Sequence, residues 1–262
     1  MKNFNSARFL AVVKKEMRDY RRKRSIVVTM TILPFLFLIE PIVSIFVVPA
    51  STAVTGARTY VLLPILYLLL IPSVMPNMLA AFTVVGEREQ GTLEPLLTTP
   101  ISQREFIAGK GAAVLIPTMV LTYAIYGLFL IATDLFAKPV VSSAVFDQGA
   151  LLVALIALAP LLACWSIAVG MAVSVRATEI RVAQQLGTLA SIPPVILVLI
   201  LAVGVIHPTL SVAIIFALVL LAIDVRAIRI VAHMMNRERL VTGSKASTSR
   251  DAGGVLGRLR AK

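Results

Sequence analysis

Between Arg181 and Asp224 the chain runs for 42 residues, Val182 to Ile223, without one formally charged side chain. As a helix that run is roughly 63 Å long at about 1.5 Å per residue. A bilayer's hydrocarbon takes about 20 helical residues, so the run makes about two crossings. The break between them is expected at Gly204-Val205-Ile206-His207-Pro208. Other uncharged runs follow Ile26, Arg58, Lys110 and Asp147. Together they give six spans, at about residues 26–48, 59–85, 111–133, 150–175, 182–204 and 209–231, with both ends on one side. The chain is 58% hydrophobic and 15% charged, whereas a soluble domain carries about a quarter charged residues. The fold class is an all-α membrane protein. Residues 1–25 precede a six-span unit at 26–235, and residues 236–262 follow it.

The remaining charges orient the spans. Of 25 lysines and arginines, 23 fall in residues 1–25, 86–110, 176–184 and 224–262. The opposite connections hold only Arg58 and Lys138. Basic residues stay on the cytoplasmic side, so both termini and the 86–110 loop are expected there, in the plasma membrane. A formal charge of +12 would suggest nucleic acid as partner for a soluble protein. Distributed this way it signals topology and attraction to anionic membrane lipids, and no nucleic-acid partner is expected.

Residues 6–23, SARFLAVVKKEMRDYRRK, set Phe9, Val12 or Val13, Met17 and Tyr20 at helical spacing among basic residues. This is the pattern of a basic amphipathic helix in the membrane interface; the alternative is a disordered basic lead-in. Charges continue to Arg24, and the apolar run begins too late for a cleavable signal. Residues 242–262 are small, polar and basic, and read as a flexible tail.

The longest polar interval between Arg58 and Asn236 is Gly86 to Lys110, GEREQGTLEPLLTTPISQREFIAGK. Thr92 is placed to cap a turn begun by Leu93, Glu94 and Pro95, because proline is tolerated in a first helical turn. Thr98-Thr99-Pro100 ends that turn, since the residue before proline avoids helical geometry. Ser102 and Glu105 form a capping box that opens a second helix through Phe106. The loop therefore carries a compact helical knob presenting Leu93, Leu96 and Leu97, which implies that something docks on it.

Intramembrane chemistry is sparse. Glu40 is the one acid well inside a span, either a polar site in a pathway or a group near the outer interface beside a helix break at Pro41. Asp224 and Arg226 read as interfacial, and Glu179 and Arg181 as solvated. Pro64, Pro72 and Pro76 in the second span and Pro193-Pro194 in the fifth imply kinks or local breaks. Gly170/Ser174 and Gly187/Ser191 are small pairs that allow close helix packing. One cysteine, Cys164, excludes an internal disulfide, and two distant histidines assemble no Cys/His metal cluster. No phosphate loop exists, because Gly109-Lys110 lacks the upstream glycine and the following hydroxyl. No second intramembrane acid forms a catalytic dyad with Glu40, so the chain is expected not to be an enzyme.

The pattern Glu87-x-Glu89-x-Gly91-Thr92-Leu93-Glu94-x-Leu96-Leu97-x-x-Pro100-x-Ser102, after the second of six spans, resembles the signature loop of the type-2 ATP-binding-cassette export permeases. Lys15-Glu16 with the basic residues to Arg24, and Asn236-Arg237-Glu238-Arg239-Leu240, are similar to the ends of such chains. The resemblance implies that the loop is a coupling helix seated in a groove of a separate cytosolic ATPase. It implies a second permease subunit completing the pathway, and ATP and magnesium held by the partner rather than by this chain. The family's short re-entrant helices near the outer ends of spans five and six have little room between Val195 and Pro208. A membrane scaffold that docks the same ATPase, or a secondary transporter, is the alternative reading.

Overall fold

The computed structural model describes residues 4–47, 54–92, 101–202 and 209–234, which are helix and turn with no strand among them. The helices are α1 (Ser6–Arg22), α2 (Arg24–Val47), α3 (Val54–Tyr67), α4 (Leu70–Ala80) and α5 (Val85–Glu89). After the loop come α6 (Gln103–Phe136), α7 (Pro139–Phe146), α8 (Gly149–Arg176), α9 (Ile180–Ala190), α10 (Ile192–Ala202) and α11 (Leu210–Met234). Six stretches are long and apolar enough to cross a membrane, at Met30–Val47, Tyr60–Glu89, Gln103–Phe136, Gly149–Arg176, Ile180–Ile200 and Leu210–Met234. The chain is thus an all-helical, multi-pass membrane protein.

The second crossing is the core. In α4 nearly every residue is buried, including Ser73 and Asn77, and the helix packs on α8, α6, α9 and α2. By contrast α2, α6 and α11 keep one broad apolar face outward, including Ile32, Phe35 and Ile39, Val120 and Ile131, Ile215 and Leu218. In lipid an outward leucine or isoleucine carries no penalty, so hydrophobicity alone does not separate the inward faces from the outward ones. Two apolar cores stack along the bundle. One lies towards the α7 end and includes Ile65, Leu68, Tyr126, Phe129 and Leu158; the other lies towards the loop and includes Val13, Leu79, Phe106, Ile107 and Met171.

Of the prolines in the second span, Pro64 and Pro76 lie inside α3 and α4 without ending them, and Pro72 marks a break. Pro72 has no N–H to give the Leu68 carbonyl, and the chain breaks there between α3 and α4. The freed carbonyl accepts from Ile71 N–H at 3.2 Å and from the buried Tyr126 hydroxyl of α6 at 3.3 Å. A neighbouring helix thus repairs the break within the apolar region. In the fifth crossing Pro193 and Pro194 separate α9 from α10 at Ser191, whose N–H turns back to the Gly187 and Thr188 carbonyls. At Pro41 the expectation fails: α2 continues through it to Val47, with Ser44 Oγ donating to the Pro41 carbonyl at 2.8 Å.

One further expectation is corrected. Asp224 is buried, 2% exposed, in the stripe Phe216-Leu220-Asp224-Val231 that α11 lays on α8. Arg226 beside it is exposed, as are Glu179 and Arg181. Residues 6–22 form the helix α1, and Val12, Val13 and Tyr20 on one face of it are buried on the bundle. Gly109 of α6 makes this possible. A Cβ there would come within 2.7 Å of Val12 Cγ1, so only glycine lets α1 approach so closely.

Candidate functional site

The polar loop is held by two stems, α5 before it and the first turns of α6 after it. Helix α5 is one turn long, and its start is supplied from outside. Ser174 of α8 accepts from the Val84 and Val85 N–H groups at 3.0 and 3.1 Å and donates to the Ala81 carbonyl at 2.7 Å. Its end is a Schellman closure: Thr92 N–H reaches the Glu87 carbonyl and Gly91 N–H the Arg88 carbonyl, with Gly91 at φ 66°. A non-glycine residue there would be strained, which gives Gly91 a backbone reason. The Thr92 hydroxyl also turns back to the Glu87 carbonyl, at 3.3 Å.

Three consecutive side chains of this stem go to three different places. Glu87, with its side chain 7% exposed, is within 2.8 Å of Lys15 in α1 and 2.9 Å of Lys110 in α6. Arg88 donates to the Ala177 and Val175 carbonyls at 3.0 and 3.2 Å, capping the end of α8. Glu89 accepts from Ile180 N–H at 3.0 Å, capping the start of α9, whose own N-cap Glu179 makes no side-chain bond. A cation on terminal carbonyls and a carboxylate on an initial N–H are the pairings that the two helix dipoles favour.

The second stem is anchored as widely. The expected capping box is present, with Glu105 N–H bonded to Ser102 Oγ at 3.3 Å and Ser102 N–H to Glu105 Oε2 at 2.7 Å. The other oxygen of Glu105 accepts from Asn5 N–H, the cap of α1, at 2.7 Å. Gln103 donates to the Ala232 carbonyl near the end of α11. Lys110, 1% exposed, lies 3.0 Å from Glu16 and 2.9 Å from Glu87.

Lys15, Glu16, Lys110 and Glu87 therefore alternate around a closed ring, completed by Lys15–Glu16 at 2.9 Å, with Asp19 at its rim 3.5 Å from Lys15. Two plus two charges cancel, so the group is neutral although three members are buried. Burial works against charge on Lys15. The hydrogen bond that Lys15 donates to Glu87 and the charges of Glu16 and Glu87 outweigh it, holding the ammonium above the ordinary lysine range. Burial likewise opposes charge on Glu16, but Lys110 and Lys15 hold its carboxyl below the ordinary range. Tyr20 is kept un-ionised by burial and then by Glu16, Glu87 and Asp19.

Of the residues that the sequence assigns to the docking loop, Glu87, Glu89, Gly91, Thr92 and Ser102 are placed in these stems. Leu93, Glu94, Leu96, Leu97 and Pro100 lie outside the described residues. Glu40 lies elsewhere, half-buried on α2. It borders an open groove of about 560 Å³ with Leu36, Ile39, Val43, Ser44, Val47 and Tyr60, and its Oε2 makes no hydrogen bond among the described residues. Lys15, Glu16, Arg88 and Lys110 carry the stems but were not singled out as site residues. Each reads in sequence as one more basic or paired surface charge. The available signal was Lys110 itself, whose ammonium sits at the mouth of a 34-residue helix where burial demands a carboxylate partner.

Six apolar crossings around one polar hub define a multi-pass membrane subunit. Over residues 10–242 the chain matches the family model described as ABC-2 family transporter protein. It belongs to that family, as a permease subunit of an ABC-type transporter, and the family implies partnership with an ABC ATPase subunit. No curated protein matches the chain significantly.

Proposed function

We propose that the protein is the permease of an ATP-binding-cassette exporter in the plasma membrane, with both termini and the 86–110 loop in the cytoplasm. Two permease subunits enclose the pathway, and a separate ATPase seats Leu93, Leu96 and Leu97 in a groove. ATP and magnesium belong to that partner, and this chain is not a hydrolase. When ATP draws two ATPase subunits together, the loop is displaced and its stems pass the displacement to the spans. Glu40 faces the outer half of the pathway.

One observation carries this reading. The stems of a single short loop are bonded to the loop-side ends of α8, α9 and α11 as well as to α1. A loop that only joined two spans would need none of these bonds, whereas a lever needs all of them.

Copurification from native membranes tests the reading. The expected result is a bound ATPase with a phosphate loop, whose turnover rises with a transported compound. An ATPase whose turnover no compound changes would favour a docking scaffold, and absence of an ATPase would overturn the reading.

A further inference from the structure

The stems belong to the second and third crossings and are bonded to the fourth, fifth and sixth through Arg88, Glu89 and Gln103. The first crossing, α2, packs on α6, α3 and α4, and the helix continuous with it in the chain is α1. It runs into α2 through Lys23 alone, whose N–H caps α1 at Asp19 and Tyr20 and whose carbonyl accepts from Val27 N–H. The ion-pair ring sits where α1 meets both stems. Two adjacent residues of α1, Lys15 and Glu16, supply alternate corners, and the stems supply the other two.

We propose that Lys15, Glu16, Glu87 and Lys110 are positioning residues that fasten α1 to both stems of the loop, so that α1 carries the loop's displacement to the first crossing. This rests on the permease reading above. Three observations support a link made for position rather than for stability alone. The ring bonds the stems to each other as well as to α1, at 2.8–3.0 Å throughout. A second fastening, Asn5 N–H to Glu105, lies at the other end of α1. Gly109 admits Val12 to direct contact between them. A helix held at three places along its length follows its support as a rigid body.

The alternation of charge supplies the test. Reversing only the stem pair, Glu87→Lys with Lys110→Glu, keeps the stem-to-stem attraction and the net charge but sets like charges against α1. Reversing only the α1 pair, Lys15→Glu with Glu16→Lys, does the same from the other side. Combining all four restores every attraction within the ring and leaves only Asp19, at its rim, beside a like charge at position 15. The measurement is compound-stimulated ATP hydrolysis of the whole complex in liposomes. Docking of α1 is followed through the thiol reactivity of Val13→Cys in a Cys164→Ser background. Each half-reversal is expected to lower stimulation about tenfold and expose position 13 while the ATPase still copurifies; the fourfold reversal is expected to return both. Gly109→Val, which displaces α1 without touching a charge, is expected to give the same loss, and it stands in if a reversal fails to fold. Unchanged stimulation in a half-reversal or in Gly109→Val with position 13 exposed would overturn the proposal and leave the permease reading intact. So would a fourfold reversal that protects position 13 without returning stimulation. An unaltered protein that retains no ATPase would overturn the reading and this proposal with it.

Discussion

Asp224 is buried against α8, and among the described residues neither of its oxygens accepts a hydrogen bond. A buried polar group without a partner costs about 1–3 kcal/mol on mutational scales. Asp224→Leu is therefore expected to raise the melting temperature of the solubilised protein, and a fall would mean that the acid has a partner in the assembled transporter. The ring behaves oppositely, because each of its charges has two partners. Its pH dependence follows from the shifts. Glu16 is held below its ordinary 4.5, so its contribution is full above that value and is lost as pH falls through the lowered one. Lys15 is held above its ordinary 10.5, so its contribution is full below that value and is lost only as pH rises through the raised one. The exposure of Val13→Cys, read as its reactivity relative to a free thiol at the same pH, should then stay flat from about pH 5 to 10 and rise in stronger acid. A rise near neutrality would show that another group governs docking.

At the scale of elements, Gly170 of α8 and Gly187 of α9 make room for Asn77. Its amide donates to the Gln184 carbonyl at 3.1 Å and to Thr188 Oγ1 at 3.2 Å. The three atoms nearest to a Cβ at Gly187 would all belong to the Asn77 side chain. One at Gly170 would come within 2.6 Å of Ala80 Cβ as well as of Asn77 Oδ1. Overpacking of this kind costs about 1–3 kcal/mol. Both Gly→Ala changes should destabilise the solubilised bundle. An Asn77→Ala background should relieve Gly187→Ala and leave Gly170→Ala impaired; equal relief of both would contradict the geometry. These elements also show what was legible in sequence. Pro72 and Pro193-Pro194 announce their breaks because a missing N–H acts locally. Pro41 does not break α2, because a helix surrounded by neighbours and lipid keeps its remaining bonds. The small pairs Gly170/Ser174 and Gly187/Ser191 were visible, but their purpose was not. For the glycines it is set by the Asn77 side chain, and for Ser174 by the Ala81–Val85 backbone, about a hundred residues away in the chain.

For the whole molecule, the six crossings were legible because hydrophobic length is a one-dimensional property. The hub was not, since it joins Lys15 to Glu87 and Glu16 to Lys110 across 72 and 94 positions of the chain. Charge asymmetry predicts the orientation. Single cysteines at Ser102 and Ser244, without Cys164, should react with an impermeant thiol reagent only in opened membranes, and one at Ser143 in intact cells. Labelling of position 102 from outside would reverse the topology and remove the ATPase from reach. The central claim, that the loop seats a separate ATPase, is tested most directly by Leu96→Ala combined with Leu97→Ala. Truncating an interface anchor costs about 2 kcal/mol or more, roughly thirtyfold in affinity. The apolar spans are untouched and should still insert. The measurement is pull-down of the ATPase beside thermal stability of the solubilised variant. Loss of the partner at unchanged stability is the predicted result; lost stability with the partner retained would mean that the leucines pack inside the permease, contradicting the claim.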